Sequence, residues 1–303
     1  MALLRTAWMN HIMENLFMDN QFVEKSENWD EYVEAGFKTV VIPQAGTPAA
    51  FERNRTSLPA TIGEVTDGDI QYDMVNYTSD PKLVRNLEQT QMSYDKMQSV
   101  TRNMLLNIKE GVAEDILYAW RTENTARNVL TTGTGRASSM PGATGNRKSI
   151  AYANLVKANE ILDRDKVPNS GRVLLLPSSM YNVLLLDPDI KENFNSKLAD
   201  LNKGILGEIL GLTVMKRATA LRYTSAGVAK LPSVATVATD NEAGLVWHPS
   251  FVGRSKGNVK VYADSSDRPE YYGRIMSCEV DAGGKKAYSD GRGVVAIVED
   301  AAA

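Results

Sequence analysis

Residues 43–69, PQAGTPAAFERNRTSLPATIGEVTDGD, constrain the fold of this chain more than any other stretch. The segment carries three prolines and three glycines in 27 residues and almost no apolar run. Both flanks read as strands. FKTVVIPQ (37–44) is apolar and β-branched and stops at Pro43, while IQYDMVNY (70–77) alternates Ile70, Tyr72 and Met74 against Gln71, Asp73 and Val75, the period of a half-buried strand. Compact domains rarely keep a structureless connection longer than about 12–15 residues without a use for it. The excursion is therefore the outer part of a long antiparallel hairpin. It is too polar for a core of its own, and an exposed two-stranded arm needs another surface to lie on.

In an extended arm, residues two apart face the same side, so Arg53 and Arg55 present two guanidinium groups along one edge. Such groups make bidentate pairs with carboxylates. Glu64, Asp67 and Asp69 are acceptors within the hairpin or across to a neighbour, with two solvated arginines as the alternative. Together with Phe51 these residues are candidate contacts between chains. At the N-terminus, Leu4, Trp8, Ile12 and Leu16 recur at steps of four and give a helix one apolar face. That helix packs either on its own domain or, as an arm, on a partner chain through Trp8, Ile12 and Leu16. The segment lacks a small-residue cleavage pattern, and no window reaches the roughly 18 uncharged apolar residues of a membrane span.

Asp80-Pro81 has the form of a helix start. From Ser93 to Trp120 the pattern is strongly helical: Met97, Val100, Met104, Ile108, Val112, Ile116 and Trp120 fall three or four apart. That stripe would run about 35 Å at 1.5 Å per residue. Residues 131–149, TTGTGRASSMPGATGNRKS, break the composition and read as a mobile linker or loop. Ser149 then caps a helix, IAYANLVKANEILDR, that runs towards Pro168. GRVLLLP reads as a buried strand, SSMYNVLLLD as a helix ended by Asp187-Pro188, and GEILGLTVMKRA as a further strand. NVKVYAD, EYYGRIMSCEVD and GVVAIVED close the chain as three strands joined by SSDRP and AGGKKAYSDGR. The fold class is α+β.

Little in the sequence points to catalysis. The formal net charge of -3 excludes a basic nucleic-acid-gripping domain. Cys278 is the single cysteine, which excludes an intrachain disulfide framework and a thiolate metal cluster. The two histidines, His11 and His248, lie in different segments, and neither has a nucleophile elbow beside it; His248 reads as a strand-end residue. Glu114-Asp115 and Asp67/Asp69 are acid pairs that most simply face water. GATGNRKS (142–149) carries glycines, Lys148 and Ser149 in suggestive order. A phosphate loop, however, needs glycine where Arg147 stands, and GTGRAS (133–138) lacks the third glycine of a dinucleotide fold.

The order of elements, carried by FKTVVIPQ…IQYDMVNYTSDPKLV, the Ser93–Trp120 helix, GEILGLTVMKRA and DRPEYYGRIMSCEVDAGGKKAYSDGRGVVAIVE, resembles the major capsid protein of tailed double-stranded DNA bacteriophages, the Hong Kong 97-type capsid fold. The resemblance covers nearly the whole chain. It implies an N-terminal arm (1–36), an extension loop formed by a β-hairpin (37–80), a peripheral domain with a spine helix (81–130 and 245–303) and an inserted axial α/β domain (131–244). It also implies a structural subunit without catalysis, cofactor or metal. Hexamers and pentamers of it would build an icosahedral phage head, a virion capsid assembled in the host cytoplasm, around double-stranded DNA contacted weakly on the inner face. A separate scaffolding protein and a portal would be partners, with no membrane involved. Some relatives cross-link through a lysine on the extension loop, but no lysine lies between Lys38 and Lys82, so non-covalent stabilisation is expected. The alternatives are an encapsulin-like compartment shell enclosing a protein cargo and, from another class, an α/β enzyme that binds a nucleotide or phosphate ligand through loop 131–149.

Overall fold

The computed structural model of the chain describes residues 20–33, 38–44, 51–56, 58, 68–85, 96–188, 190, 207–263, 269–270 and 272–301. Its axis is helix α1 (Lys96–Ala119), 24 residues long. The buried stripe Met104, Ile108, Val112, Ile116 and Trp120 lies along one face of this helix and the turn that follows it, as the spacing predicts. On one side stands a five-stranded sheet whose two long members, Val252–Ala263 and Gly273–Lys286, are antiparallel. Val75–Thr78 and Lys82–Arg85 both pair with the second of these strands. On the other side stands a seven-stranded sheet with Arg172–Pro177, Asn241–Trp247 and Val294–Val298 at its centre. Helices α2 (Tyr152–Arg164) and α3 (Ser178–Leu186) pack with that sheet.

The central strands explain their own composition. Val173 and Leu175, Leu245 and Trp247, and Val294 and Ala296 face the core shared with α1. Leu174 and Leu176, Val246, and Val295 and Ile297 face the core under α2 and α3. A sheet covered on both faces reads as continuous apolar sequence rather than alternation, and each buried Val or Leu side chain contributes about 1.5–3 kcal/mol. Where the two sheets meet across α1, Trp120 and Trp247 lie 5.5 Å apart with the Phe22 ring edge-on to both. Both indoles are satisfied: Trp120 Nε1 donates to Gly253 O at 3.0 Å and Trp247 Nε1 to Lys25 O at 2.8 Å.

Several local expectations change. Asp80-Pro81 does not start a helix, because Lys82–Arg85 finds a ladder partner in Gly273–Met276. The strand expected over 70–77 is two strands, Gly68–Asp73 and Val75–Thr78, broken at buried Met74. GEILGLTVMKRA is a tight hairpin, Glu208–Ile209 against Leu212–Arg217. Its two turn residues, Leu210 and Gly211, both have positive φ (53° and 76°), as such a turn requires. Ser149 does not cap α2; the Asn154 side chain accepts from Ala151 N–H and Asp187 accepts from Tyr152 N–H, each at 2.9 Å. Residues 131–149 form no free linker, since Gly135–Ala137 and Asn146–Lys148 pair as a hairpin around buried Arg147. AGGKK is not a turn but the end of the long strand, held by pairing from Val252 to Lys286. Val294–Val298 joins the seven-stranded sheet rather than the two strands before it.

Candidate functional site

The arm is clamped at its root. Thr39–Gln44 pairs antiparallel with Gly68–Asp73, from Thr39↔Asp73 out to Gln44↔Gly68. The inward residues Ile70, Tyr72 and Met74 meet Val40, Ile42, Trp29 and Ala287 in a small third core. Polar bonds tie the same root to the long sheet. The Tyr72 hydroxyl bonds to buried Ser255 Oγ at 2.9 Å, Lys285 Nζ donates to Gln71 O at 2.7 Å, and Lys38 pairs with Asp281 at 3.5 Å. Burial pushes the Tyr72 hydroxyl up to about 12, against the pull of Ser255, so it stays a neutral donor. Gly253 admits the Trp29 ring directly over the strand; a Cβ there would lie 2.2 Å from the indole.

The outer residues are different in kind. Phe51 is 87% exposed and Leu58 is 82% exposed, the two most exposed large apolar side chains among the described residues. Arg53 and Arg55 do not line one extended edge. Residues 53–54 form a turn with Asn54 at φ 49°, and Arg55 Nε pairs with Glu52 at 3.2 Å, which leaves Arg53 exposed. Asp69, on the strand, accepts from Gln71 Nε2. Glu64 and Asp67 lie outside the described residues, as do Trp8, Ile12, Leu16 and His11. Sequence reading missed the cleft beside the root, about 390 Å³, which Glu27, Glu31, Tyr32, Pro43, Ile70 and Tyr288 help to line. The acid-and-aromatic run ENWDEY (27–32) was its one local signal.

The residues of the phosphate-loop alternative are already engaged. Arg147 donates to Asn241 Oδ1 (2.6 Å) and to the carbonyls of Thr144, Asn146, Ala238 and Asp240. Lys148 pairs with Asp300 at 2.6 Å, and Ser149 is buried. The backbone N–H groups of Lys148 and Ser149 bond to Asp300 O and Thr134 O. These donors are therefore not turned outwards towards a phosphate. Asp115 accepts from the Tyr77 hydroxyl at 2.8 Å, while Glu114 lines a cavity of about 270 Å³ with Arg222, Lys230 and Glu242. Several polar groups of that cavity are engaged: Lys230 pairs with Asp240 at 2.6 Å, Arg222 donates to Pro232 O at 2.6 Å, and Glu242 accepts from Ser139 and Ser179. His248 ends its strand as expected, its ring accepting from Ser250 N–H. Among the described residues no group of three or more His, Cys, Asp or Glu side chains is placed to hold a metal, and no helix is long and apolar enough to cross a membrane. Cys278 is buried, and burial pushes its thiol up.

No protein-family model matches the sequence, and no curated protein matches it. Solved structures do match. The capsid asymmetric unit of cyanophage Pam1 superposes with a TM-score of 0.64 at 12% identity, over 90% of this chain and 87% of that one. The capsid of Ralstonia phage GP4 gives 0.61 at 11% identity, over 92% and 88%. The capsid of cyanophage P-SCSP1u gives 0.59 at 17% identity, over 92% and 86%. The likeness thus runs across nearly the full length of these chains. The chain has the phage capsid fold.

Proposed function

We propose that this chain is a structural subunit that assembles with copies of itself into the closed icosahedral shell of a phage head around double-stranded DNA, without catalysis. The observation that carries the reading is the arm: its root is bonded into the body, while its described outer residues hold Phe51 and Leu58 out in water. An exposed apolar tip beyond an anchored root offers contact area to another surface. The shared capsid fold supports another subunit as that surface. In this reading the peripheral unit is built on α1 and the two long strands. The axial unit is built on the seven-stranded sheet, which draws Asn128–Leu130 and Val294–Val298 from outside residues 131–244. Rings of five and six would form from the same contacts, because arms flex while cores do not. With no lysine between Lys38 and Lys82, the shell is held non-covalently. A separate scaffolding protein and a portal complete the assembly, and the acidic net charge suits weak contact with DNA on the inner face.

Electron microscopy of the chain, expressed alone and with a neighbouring scaffold gene, tests this. Hollow uniform particles or ring-shaped capsomers are expected, and deletion of residues 46–66 leaves folded monomers that never close a shell. Compact monomers from the intact chain under every condition would sink the reading. Particles filled with protein rather than nucleic acid would turn it towards an encapsulin-like compartment.

A further inference from the structure

Beyond the end of α1, Glu123, Asn124 and Arg127 meet the end of the long strand Gly273–Lys286 and the turn after it. With Lys286, Ser289 and Asp290 they line a pocket of about 270 Å³. Its charges pair off until one cation is left. Arg121 donates to Glu123 at 2.9 Å and to Tyr118 O at 3.0 Å, so the negative end of the helix dipole has its own cation. Arg127 pairs with Asp165, and Arg292 with Asp290 at 3.0 Å. Lys285 donates to Gln71 O at 2.7 Å. Half-buried Lys286 has no hydrogen-bond or ion-pair partner among the described residues, and neither has the exposed Ser289 hydroxyl. Asn124 engages only its oxygen, which accepts from Ala126 N–H at 3.0 Å. Burial lowers the Lys286 pKa, Glu123 raises it, and Arg121, Arg127 and Lys285 lower it again; an anion in the pocket would favour the charged form.

We propose that this pocket binds a terminal phosphate group, with the Lys286 ammonium as its counter-charge and the Ser289 hydroxyl and Asn124 amide as neutral donors. A terminal phosphate offers more acceptor oxygens than a carboxylate, enough for all three donors together. The turn that carries Ser289 is fixed in advance: Gly291 N–H bonds to Tyr288 O at 3.1 Å, and Gly291 takes the positive φ (74°) that closes it. Inorganic phosphate and the monoester of a nucleotide share this chemistry.

Phosphorus NMR of inorganic phosphate and, separately, of adenosine monophosphate tests the site, with the intact chain titrated in at constant ionic strength. Saturable broadening of one or both signals is expected, and which of the two binds tighter identifies the source of the phosphate. Lys286→Gln should weaken binding about tenfold. Ser289→Asp, at an exposed turn position, should abolish it while leaving the fold intact, which keeps the test decisive if the lysine variant does not fold. Lys157→Gln, at an exposed position on α2, should bind as wild type does. Broadening that never saturates, or that falls equally with Lys157→Gln, would overturn the proposal. So would binding of a DNA duplex, whose internal phosphates are diesters, with neither small phosphate bound. The assay needs no closed shell, so its failure is separate from failure of the shell reading.

Discussion

Two six-residue strands of this molecule, Arg172–Pro177 in the body and Gly68–Asp73 in the arm, solve opposite problems. The body strand is buried at every position, its alternate residues filling cores on either side. The arm strand buries none of its residues fully and half-covers only Ile70 and Tyr72. Both are strands of equal length with complete ladders on at least one side, so backbone pairing does not separate them. Apolar area does. The body is held by contacts within the chain, whereas the arm is anchored within the chain and left incomplete beyond its root.

Substitutions can be ranked by how far they break this contrast. Trp247→Ala removes a fully buried indole at the meeting point of the two sheets and should cost about 3–5 kcal/mol, read by denaturant unfolding of the monomer. Arg172→Met comes next. Its guanidinium serves Pro168 O, Val167 O, Asn159, Asn169 and Asp163 at 2.6–2.9 Å, and stranding those acceptors should cost about 2–3 kcal/mol. Phe51→Ser should leave monomer unfolding within about 0.5 kcal/mol of wild type yet sharply reduce assembled particles in sedimentation. A clear loss of monomer stability would mean the tip packs on its own body.

The smallest effect concerns Glu299, 1% exposed and paired with Arg136 at 2.8 Å. Burial and the neighbouring Glu242 carboxylate push its pKa above the ordinary 4.5, and Arg136 only partly opposes them. The folded state therefore holds this proton more tightly than the unfolded chain does, and the stability it gives is lost as pH rises from 4.5 through the raised value. Relative to wild type, Glu299→Gln should gain stability with rising pH over that window, followed by denaturant midpoints. The opposite slope would show that the Arg136 pair outweighs burial.

The body was largely legible because its signals are local and repeated. The α1 stripe and the apolar runs of Arg172–Pro177 and Val294–Val298 follow from which faces are covered, as does the alternation of Ile70, Tyr72 and Met74 at the arm root. Asn241–Trp247, with Asn241 and Glu242 at its start, does not read as a strand beyond its His248 end. What stayed hidden depends on distant partners. Lys82–Arg85 is a strand only because Gly273–Met276 lies beside it, and GEILGLTVMKRA folds back because Leu210 adopts a conformation leucine rarely takes. The outward placement of Phe51 fits the arm expected from residues 43–69, but the shared edge imagined for Arg53 and Arg55 gave way to a local turn and a local pair. The cleft was illegible for a simpler reason: its walls come from residues 27–32, 43, 70 and 288, and no window of sequence contains them all.

The close approach of Trp29 to Gly253 has a consequence for how such chains diverge. At 11–17% identity the compared capsids share the fold with few of the side chains. Position 253 cannot drift alone, because any side chain there would occupy the space of the indole. A chain with a side chain at 253 has no room for the ring at 29, so these two positions, far apart in sequence, can change only together.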